Sequence, residues 1–248
     1  MEQEFAPGTV VLVGGGPGDP GLMTVAGLDA IRAADVIVHD RLGALRCLDE
    51  ARADAEIINV GKIPRGEFTP QEEINAILVD RARQGRRVVR LKGGDNYVFG
   101  RGGEEWLACH AAGIPVRVVP GVTSAVSVPA LAGIPVTHRG LTQGFVVVSG
   151  HVPPSDPRSE VNWAALAGAN LTLVVLMGVQ NLPEISAELQ RHGLSPDTPA
   201  AVIADGTTPG QLTIRATLAS IAGEAARADI RPPAIVVIGA VAALELEA

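Results

Sequence analysis

VVRLKGGDNYVFGRGGEE, residues 88–105, is the stretch that decides how the chain must be read. It opens as an apolar run, Val88, Val89 and Leu91, with the basic Arg90 and Lys92 interleaved, which reads as a β-strand. The run breaks at Gly93-Gly94 and sets Asp95 just past the strand end. A second glycine cluster, Gly100, Gly102 and Gly103, surrounds Arg101, and Glu104 and Glu105 then open a helical pattern. In open α/β sheets, ligands sit in the crevice outside the carboxyl ends of the strands. Glycines there admit a close backbone approach and positive φ. A long turn followed by helix-capping acids would give a similar string. Two glycine clusters flanking one acid and one arginine favour a binding loop.

Upstream, Thr9–Val13 reads as a β-branched strand that ends in Gly14-Gly15-Gly16-Pro17-Gly18-Asp19-Pro20-Gly21. Thr24 is placed to cap a helix whose apolar positions Val25, Leu28 and Ile31 recur at helical spacing. Val36–Val38 is a strand stopped by His39-Asp40, a helical stretch covers Leu42–Ala51, and Ile57–Val60 is a strand stopped by Gly61-Lys62. Thr69-Pro70-Gln71-Glu72 has capping-box spacing with proline at the first helical position; Ile74, Ile77 and Leu78 line one face, and Gly85 ends the helix. After the opening stretch, a helix to Gly113 and a strand at Val116–Val119 follow. Alternating strands and helices imply βαβ units and a largely parallel sheet.

Pro120-Gly121 reads as a joint, and a second series of elements follows it. Ser124–Leu131 is helical despite Pro129. Phe145–Val148, Leu171–Leu176, Ala200–Ile203, Thr213–Thr217 and Ile235–Ile238 are strands; Pro183–Arg191 and Leu218–Ala226 are helices; Gly150–Arg158 is an exposed loop. The expected fold class is α/β, with two lobes, 1–118 and 119–248, and a ligand cleft between them.

The 248 residues carry 29 glycines and 18 prolines, with 47% hydrophobic and only 3% aromatic residues, which suits an Ala/Val-rich α/β protein with many tight turns. A net charge of -7 argues against nucleic-acid binding, and scarce aromatics remove the usual base-stacking platform. Cys47 and Cys109 have neither metal nor disulfide-framework spacing and read as buried thiols in a reducing compartment. The acidic start MEQEFAPG lacks a signal-peptide pattern, and no apolar run reaches membrane-spanning length, so a cytoplasmic location is expected. The five histidines form no HExxH or other paired spacing, so no metal is expected. There is no GxSxG elbow and no Walker A motif.

Gly16–Gly21 formally matches GxGxxG after a strand, and Asp40 lies where a ribose-binding acid would follow, which alone suggests a dinucleotide fold. Pro17 and Pro20 count against it, because proline lacks the backbone N–H that cradles a pyrophosphate. A rigid turn presenting backbone to a less anionic ligand fits better.

Taken in order, VGGGPGDPGLMT (13–24), ADVIVHDRL (34–42), VGK (60–62), QEEIN (71–75), VVRLKGGD (88–95), FGRGGEE (99–105), VVPGVTSA (118–125), AGIPVTHRG (132–140) and VVSGH (147–151) resemble the tetrapyrrole methylases. Met177-Gly178 and Asp205-Gly206-Thr207 add to the resemblance. Within that family the KGGD…GRGGEE and GIPVTHR segments are most like the branch that C-methylates uroporphyrinogen III. No dehydrogenase–chelatase segment stands ahead of the motifs, so the monofunctional form is expected.

The resemblance implies a homodimer that binds S-adenosyl-L-methionine (SAM) folded between the lobes and releases S-adenosyl-L-homocysteine. The implied reaction methylates uroporphyrinogen III at C2 and then C7, giving precorrin-2 for sirohaem and cobalamin synthesis. By family analogy the cofactor contacts fall on Pro17, Gly93, Gly94, Asp95, Val98, Thr123, Ser124, Met177 and Gly206. Methyl transfer from a sulfonium needs alignment and exclusion of water rather than a metal. Asp40 and Lys62 end two neighbouring predicted strands, and the family gives these positions the roles of proton acceptor and proton donor. Asp40 reads equally as a helix cap, and Lys62 as a charge partner. The tetrapyrrole is an octacarboxylate, so Arg41, Lys62, Arg101 and Arg139 are candidate cations for it. His138 either orients a carboxylate or packs; Met177 either lies against adenine or fills core; Asp95 either meets ligand or stabilises its own turn.

The chain departs from the family's pattern at several places. Asn96-Tyr97 stands where the family usually has Pro-Phe, which predicts a softer or differently set loop. Ile63–Glu67 replaces a more basic run, His39 a common Tyr and Gly43 a common Val.

Overall fold

The computed structural model describes residues 5–42, 45–61, 69–244 and 246. It divides into two compact units, Met1–Thr123 and Ser124–Ala248, so the boundary falls beyond the 118/119 expected from sequence. The reason is local. The segment after the fifth strand is tied back into the first unit, where the Gly121 N–H donates to Asp95 Oδ2 at 3.0 Å.

The first unit runs β1 (Val10–Gly14), α1 (Val25–Ala33), β2 (Val36–His39), β3 (Glu56–Asn59), α2 (Gln71–Arg83), β4 (Val88–Lys92), α3 (Gly102–Ala111) and β5 (Val116–Val119). The strands form one sheet in the order β3-β2-β4-β1-β5, every pair parallel. Both faces are covered. Ala30 and Ile31 of α1, with Cys47, pack on Val11, Val13, Ile37, Val89 and Leu91. Ile74, Leu78 and Ala82 of α2 and Cys109 of α3 pack on Val10, Leu12, Val36, Val38 and Val88. Strands buried on both sides read as continuous apolar runs, as β1 and β2 do. The connections from β1 and from β4 leave toward opposite edges of the sheet, the arrangement that opens a crevice at the strands' carboxyl ends.

Local signals set most element ends. Thr24 Oγ1 accepts the Gly27 N–H at 3.1 Å and caps α1. Gly85, at φ 75°, closes α2 with bonds from its own N–H to Ala82 O and from Arg86 N–H to Arg81 O, the Schellman pair. Gly113 closes α3 in the same way, through His110 O and Cys109 O. The capping box at Thr69 does not form. α2 begins one residue later, with Pro70 at the cap position and no side-chain cap bond, so Thr69 lies a residue too far out; Glu72 and Glu73 supply negative charge to the first turn instead. The helix read over Leu42–Ala51 is shorter and tighter, a 3₁₀ segment at Leu45–Glu50.

The second unit runs α4 (Ser124–Leu131), β6 (Phe145–Ser149), α5 (Trp163–Ala167), β7 (Thr172–Leu176), α6 (Leu182–Arg191), β8 (Pro199–Ala204), β9 (Leu212–Thr217), α7 (Ile221–Arg227) and β10 (Ala234–Ile238). Its sheet, in the order β6-β7-β10-β8-β9, is mixed: β6 and β7 are parallel, whereas β10 pairs antiparallel with β7 and β8, and β8 with β9. A largely parallel sheet therefore describes only the first unit. Arg215 on β9 donates to the carbonyls of Ala242, Leu244 and Ala132 at 2.6, 2.7 and 2.9 Å and so ties down the chain after β10. No helix among the described residues is long and apolar enough to cross a membrane.

Charge also holds the amino-terminal edge of the first sheet, away from the crevice. Asp35, ahead of β2, accepts from Arg87 Nε, Nη2 and backbone N–H, and from Arg52 Nη1. Hydrogen bonding from the Arg87 side chain lowers the Asp35 carboxyl from 3.8 to about 2, against an opposing desolvation effect. A depressed carboxyl contributes stability above its unfolded value and loses it as pH falls through the folded one. Allowing for solvent screening, Asp35→Ala is expected to cost about 1–2 kcal/mol at pH 7. That cost should shrink between pH 3.8 and about 2, as chemical denaturation of both proteins across this range would reveal.

Candidate active site

The carboxyl ends of β1, β2, β4 and β5 emerge at one edge of the parallel sheet, carrying Gly14–Gly16, Asp40, Gly93–Asp95 and Pro120–Gly121. Three of these loops touch through backbone alone. A Cβ on Gly14 would stand 2.4 Å from Gly121 N, and one on Gly121 would stand 2.2 Å from Gly94 O. Gly16 and Gly94 exchange N–H···O bonds of 3.1 and 2.7 Å, and the Gly15 N–H donates to Lys92 O at 2.7 Å. The result is a rigid seam with no space for side chains. It also decides the GxGxxG question on grounds beyond the two prolines. The Gly15 amide is consumed by the Lys92 carbonyl of β4 and the Gly16 amide by the Gly94 carbonyl just after it, and the turn leads into a three-residue 3₁₀ segment, Pro20–Leu22, before α1. A pyrophosphate cradle needs free amides opening directly onto a helix.

The loop after β4 is pinned from within. Asp95 Oδ1 accepts the Tyr97 N–H at 2.8 Å and Oδ2 accepts the Gly121 N–H, so Asp95 stabilises its own turn and the seam. The softer loop predicted from Asn96 is corrected: Asn96 is fully buried, and its amide donates to Val119 O at 2.9 Å and Leu12 O at 3.2 Å, pinning the loop where a proline ring cannot donate. Gly100 and Gly102 are small because each would clash with Asn96 O at 2.6 Å, and Gly93 because it meets Leu42 Cβ at 2.6 Å. The second glycine cluster thus serves the loop's own packing as well as any ligand. Tyr97 and Phe99 stay exposed.

Asp40 sits at this edge with its side chain 25% exposed. Its Oδ1 accepts the Leu42 N–H at 3.0 Å, and its Oδ2 lies 3.6 Å from Arg90 Nη2. The helix-cap reading survives only as this short turn, since no α-helix starts there among the described residues. Lys62 lies outside the described residues, as do Gly43 and Ile63–Glu67. Arg41 is exposed. Arg101 takes a left-handed conformation, φ 59°, ahead of α3 and is paired with Glu104 at 2.6 Å. Pro17 and Val98 are half-buried, and Thr123 ends the unit.

Beneath the edge lies a charge cluster that sequence reading missed. Alternation along β4 turns Arg90 and Lys92, only 3% and 4% exposed, toward the face that Val88 shares with α2 and α3. Fully buried Glu105 of α3 meets both: its Oε1 lies 3.0 Å from Arg90 Nε, 2.8 Å from Lys92 Nζ and 3.2 Å from Gln71 Nε2. Burial, then the charge of Arg90, pulls the Lys92 ammonium below its usual value, against Glu105 and Asp40. The signal was present in the string: a strand with two covered faces cannot carry Arg and Lys without a buried acid, and Glu105 begins the next helix.

The second unit presents its own edge, where β6, β7 and β8 end at Gly150, Met177-Gly178 and Asp205-Gly206. Met177 is 47% exposed at φ 57°, which removes the core-filling reading. Gly206 lies between two positive-φ residues, Asp205 and Thr207, and a Cβ there would meet Val128 Cγ1 at 2.5 Å. Ser124 opens α4. His138 and Arg139 are exposed in a turn where His138 O accepts the Leu141 and Thr142 N–H groups, so His138 does not pack in the core.

Comparison with known proteins agrees with this architecture. Residues 9–222 match the family model of the tetrapyrrole (corrin/porphyrin) methylases. The chain is 51% identical over 244 residues to a siroheme synthase of Neisseria meningitidis serogroup C, covering 98% of this chain and 50% of that protein. It thus spans about half the length of the siroheme synthases it matches. It is 48% identical to a uroporphyrinogen-III C-methyltransferase of Methanocaldococcus jannaschii, covering 94% of this chain and 96% of that one. The crystal structure of uroporphyrin-III C-methyl transferase from Thermus thermophilus complexed with S-adenyl homocysteine superimposes with a TM-score of 0.79 at 41% identity, over 94% of this chain and 98% of that one. On the extent of these matches and the shared fold, the chain belongs to the tetrapyrrole methylases.

Proposed function

We propose that the chain is a SAM-dependent C-methyltransferase that methylates uroporphyrinogen III at C2 and then C7, giving precorrin-2. The observation that carries this reading is similarity to the Methanocaldococcus uroporphyrinogen-III C-methyltransferase over nearly the full length of both chains. The site chemistry supports it. SAM carries no phosphate, so a seam whose amides are already bonded suits it better than it suits a dinucleotide. Gly93, Gly94, Asp95 and Val98 on the loop after β4, with Pro17, Thr123, Ser124, Met177 and Gly206, are the proposed cofactor contacts.

When bound, SAM supplies an activated methyl on a sulfonium. The protein's part is alignment, exclusion of water and proton handling. The Asp40 carboxylate, held by the Leu42 N–H and facing Arg90, is the proposed acceptor for the ring proton that must leave after methylation. Lys62 is the proposed proton donor. Arg41, Arg101, His138 and Arg139 are proposed to meet the carboxylates of the tetrapyrrole. Arg101 must then share its guanidinium with Glu104. The family resemblance also supports a cytoplasmic homodimer, feeding sirohaem or cobalamin synthesis.

Anaerobic incubation with SAM and uroporphyrinogen III, followed by mass analysis, is expected to give mono- and then dimethylated product. No methylation of uroporphyrinogen III would overturn the reading. Methylation of a later precorrin instead would move the chain to a sister activity.

A further inference from the structure

The buried cluster under Asp40 is an expensive way to fill space. Well-packed apolar side chains of similar volume are often neutral or stabilising in place of a buried ion group. The apolar layer of Val10, Leu12, Val36, Val38 and Val88 beside it shows what this face otherwise uses. The geometry is directional. Arg90 Nε is taken by Glu105 Oε1 at 3.0 Å, and Nη1 by Leu91 O at 2.9 Å and Val38 O at 3.3 Å. These bonds fix the guanidinium plane and aim Nη2 at Asp40 Oδ2, 3.6 Å away. From the other side, the Leu42 N–H holds Oδ1 at 3.0 Å. Glu105 Oε1 gathers three donors while its buried Oε2 has no partner among the described residues, so the acid is turned toward Arg90, Lys92 and Gln71.

We propose that Arg90 is a positioning residue for Asp40, and that Glu105 acts on the same carboxylate at second hand, by aiming Arg90 and sharing its charge. The inference rests on the reading of Asp40 as proton acceptor. Among the described residues, the charged groups around Asp40 are Arg90 and, farther along β4, Lys92, which feels the Asp40 charge. Glu105 reaches it from α3 through Arg90. On its own strand, His39 Nδ1 lies 2.9 Å from the Asp40 carbonyl rather than its carboxylate, and Arg41 follows in the chain.

A purely structural cluster and a positioning one differ in sign. Removing the cation should make Asp40 easier to protonate; removing the counter-anion should make it harder. The test is kcat/KM for methyl transfer against pH for the wild type, Arg90→Met, Arg90→Lys and Glu105→Gln, with S-adenosylhomocysteine binding measured alongside. The acid limb is expected to move up in Arg90→Met and down in Glu105→Gln. Arg90→Lys should give partial rescue, with S-adenosylhomocysteine binding within about threefold of wild type throughout. Limbs that move together, or not at all, would overturn the proposal. If Arg90→Met does not fold, Arg90→Lys carries the test: kcat should fall about tenfold with KM for SAM unchanged, and an unchanged kcat would overturn it. Asp40→Asn separates the two levels. Full turnover in that variant removes the reading of Asp40 itself. Lost turnover with unmoved limbs in the others removes only the role of Arg90 and Glu105.

Discussion

Gly121→Ala is expected to be the most damaging single-methyl change at the proposed site. The added carbon would stand 2.2 Å from Gly94 O and 2.6 Å from both Gly14 C and Gly14 Cα, all of them backbone atoms that no rotamer change can clear. Relief requires the ends of β1 and β4 to part from the segment after β5, which breaks the Gly121 N–H bond to Asp95. Overpacking of this kind costs at least about 3 kcal/mol, or roughly 6–12 °C in Tm for a chain of this size. Binding of S-adenosylhomocysteine should weaken more than tenfold, because the displaced loop carries Asp95. Gly113→Ala is the control. It too sits at a positive φ, 75°, but nothing lies within 4 Å of its new carbon. It should cost only about 1 kcal/mol and leave ligand binding unchanged. Equal losses for the two variants, by thermal denaturation and calorimetry, would show that the seam is not close-packed.

Glu105→Leu is expected to rival it in stability. The change strands Arg90 and Lys92 at 3% and 4% exposure without their acid. Removing one partner from a buried ion group typically costs about 3–5 kcal/mol. The pH dependence carries a definite sign. The folded Lys92 value already lies below 10.5, so its burial costs stability at neutral pH. That cost fades as pH rises through the folded value toward the unfolded one. The variant should therefore regain part of its loss in alkaline buffer. Joint replacement Arg90→Met, Lys92→Met, Glu105→Leu should restore most of the stability by extending the apolar layer, yet not restore methyl transfer. Recovery of both would mean that the cluster has no part in the reaction.

These two predictions mark where the sequence was readable and where it was not. Most strand and helix positions in the first unit followed from local pattern, because most of its apolar runs are bounded by glycine, proline or a capping threonine that acts within a few residues. Thr24, Gly85 and Gly113 behave as their residue types require. The direction of β8, β9 and β10 was not readable, since alternation along a strand is the same whichever way its neighbour runs. The pairing is set by the turn between β8 and β9 and by β10 entering between β7 and β8. Of the site, the glycine and aspartate positions were visible as a string, but their reasons were not. Gly14, Gly94 and Gly121 lie far apart in sequence and meet only in three dimensions. Asp95 was weighed for a ligand and spends both oxygens on backbone N–H groups. Asn96 read as the loss of a rigid proline and proves to be an anchor. Arg90, Lys92 and Glu105 were all in the opening stretch, but their meeting depends on which face of β4 is turned to α3.

The central claim is that the loop after β4, packed against the glycine seam, is where the methyl donor binds. A crystal structure with S-adenosylhomocysteine tests it most directly. The ligand is expected to lie against the backbone of Gly93–Asp95 with its sulfur facing the edge that carries Asp40. Density for the ligand at a site that touches neither segment would contradict the account.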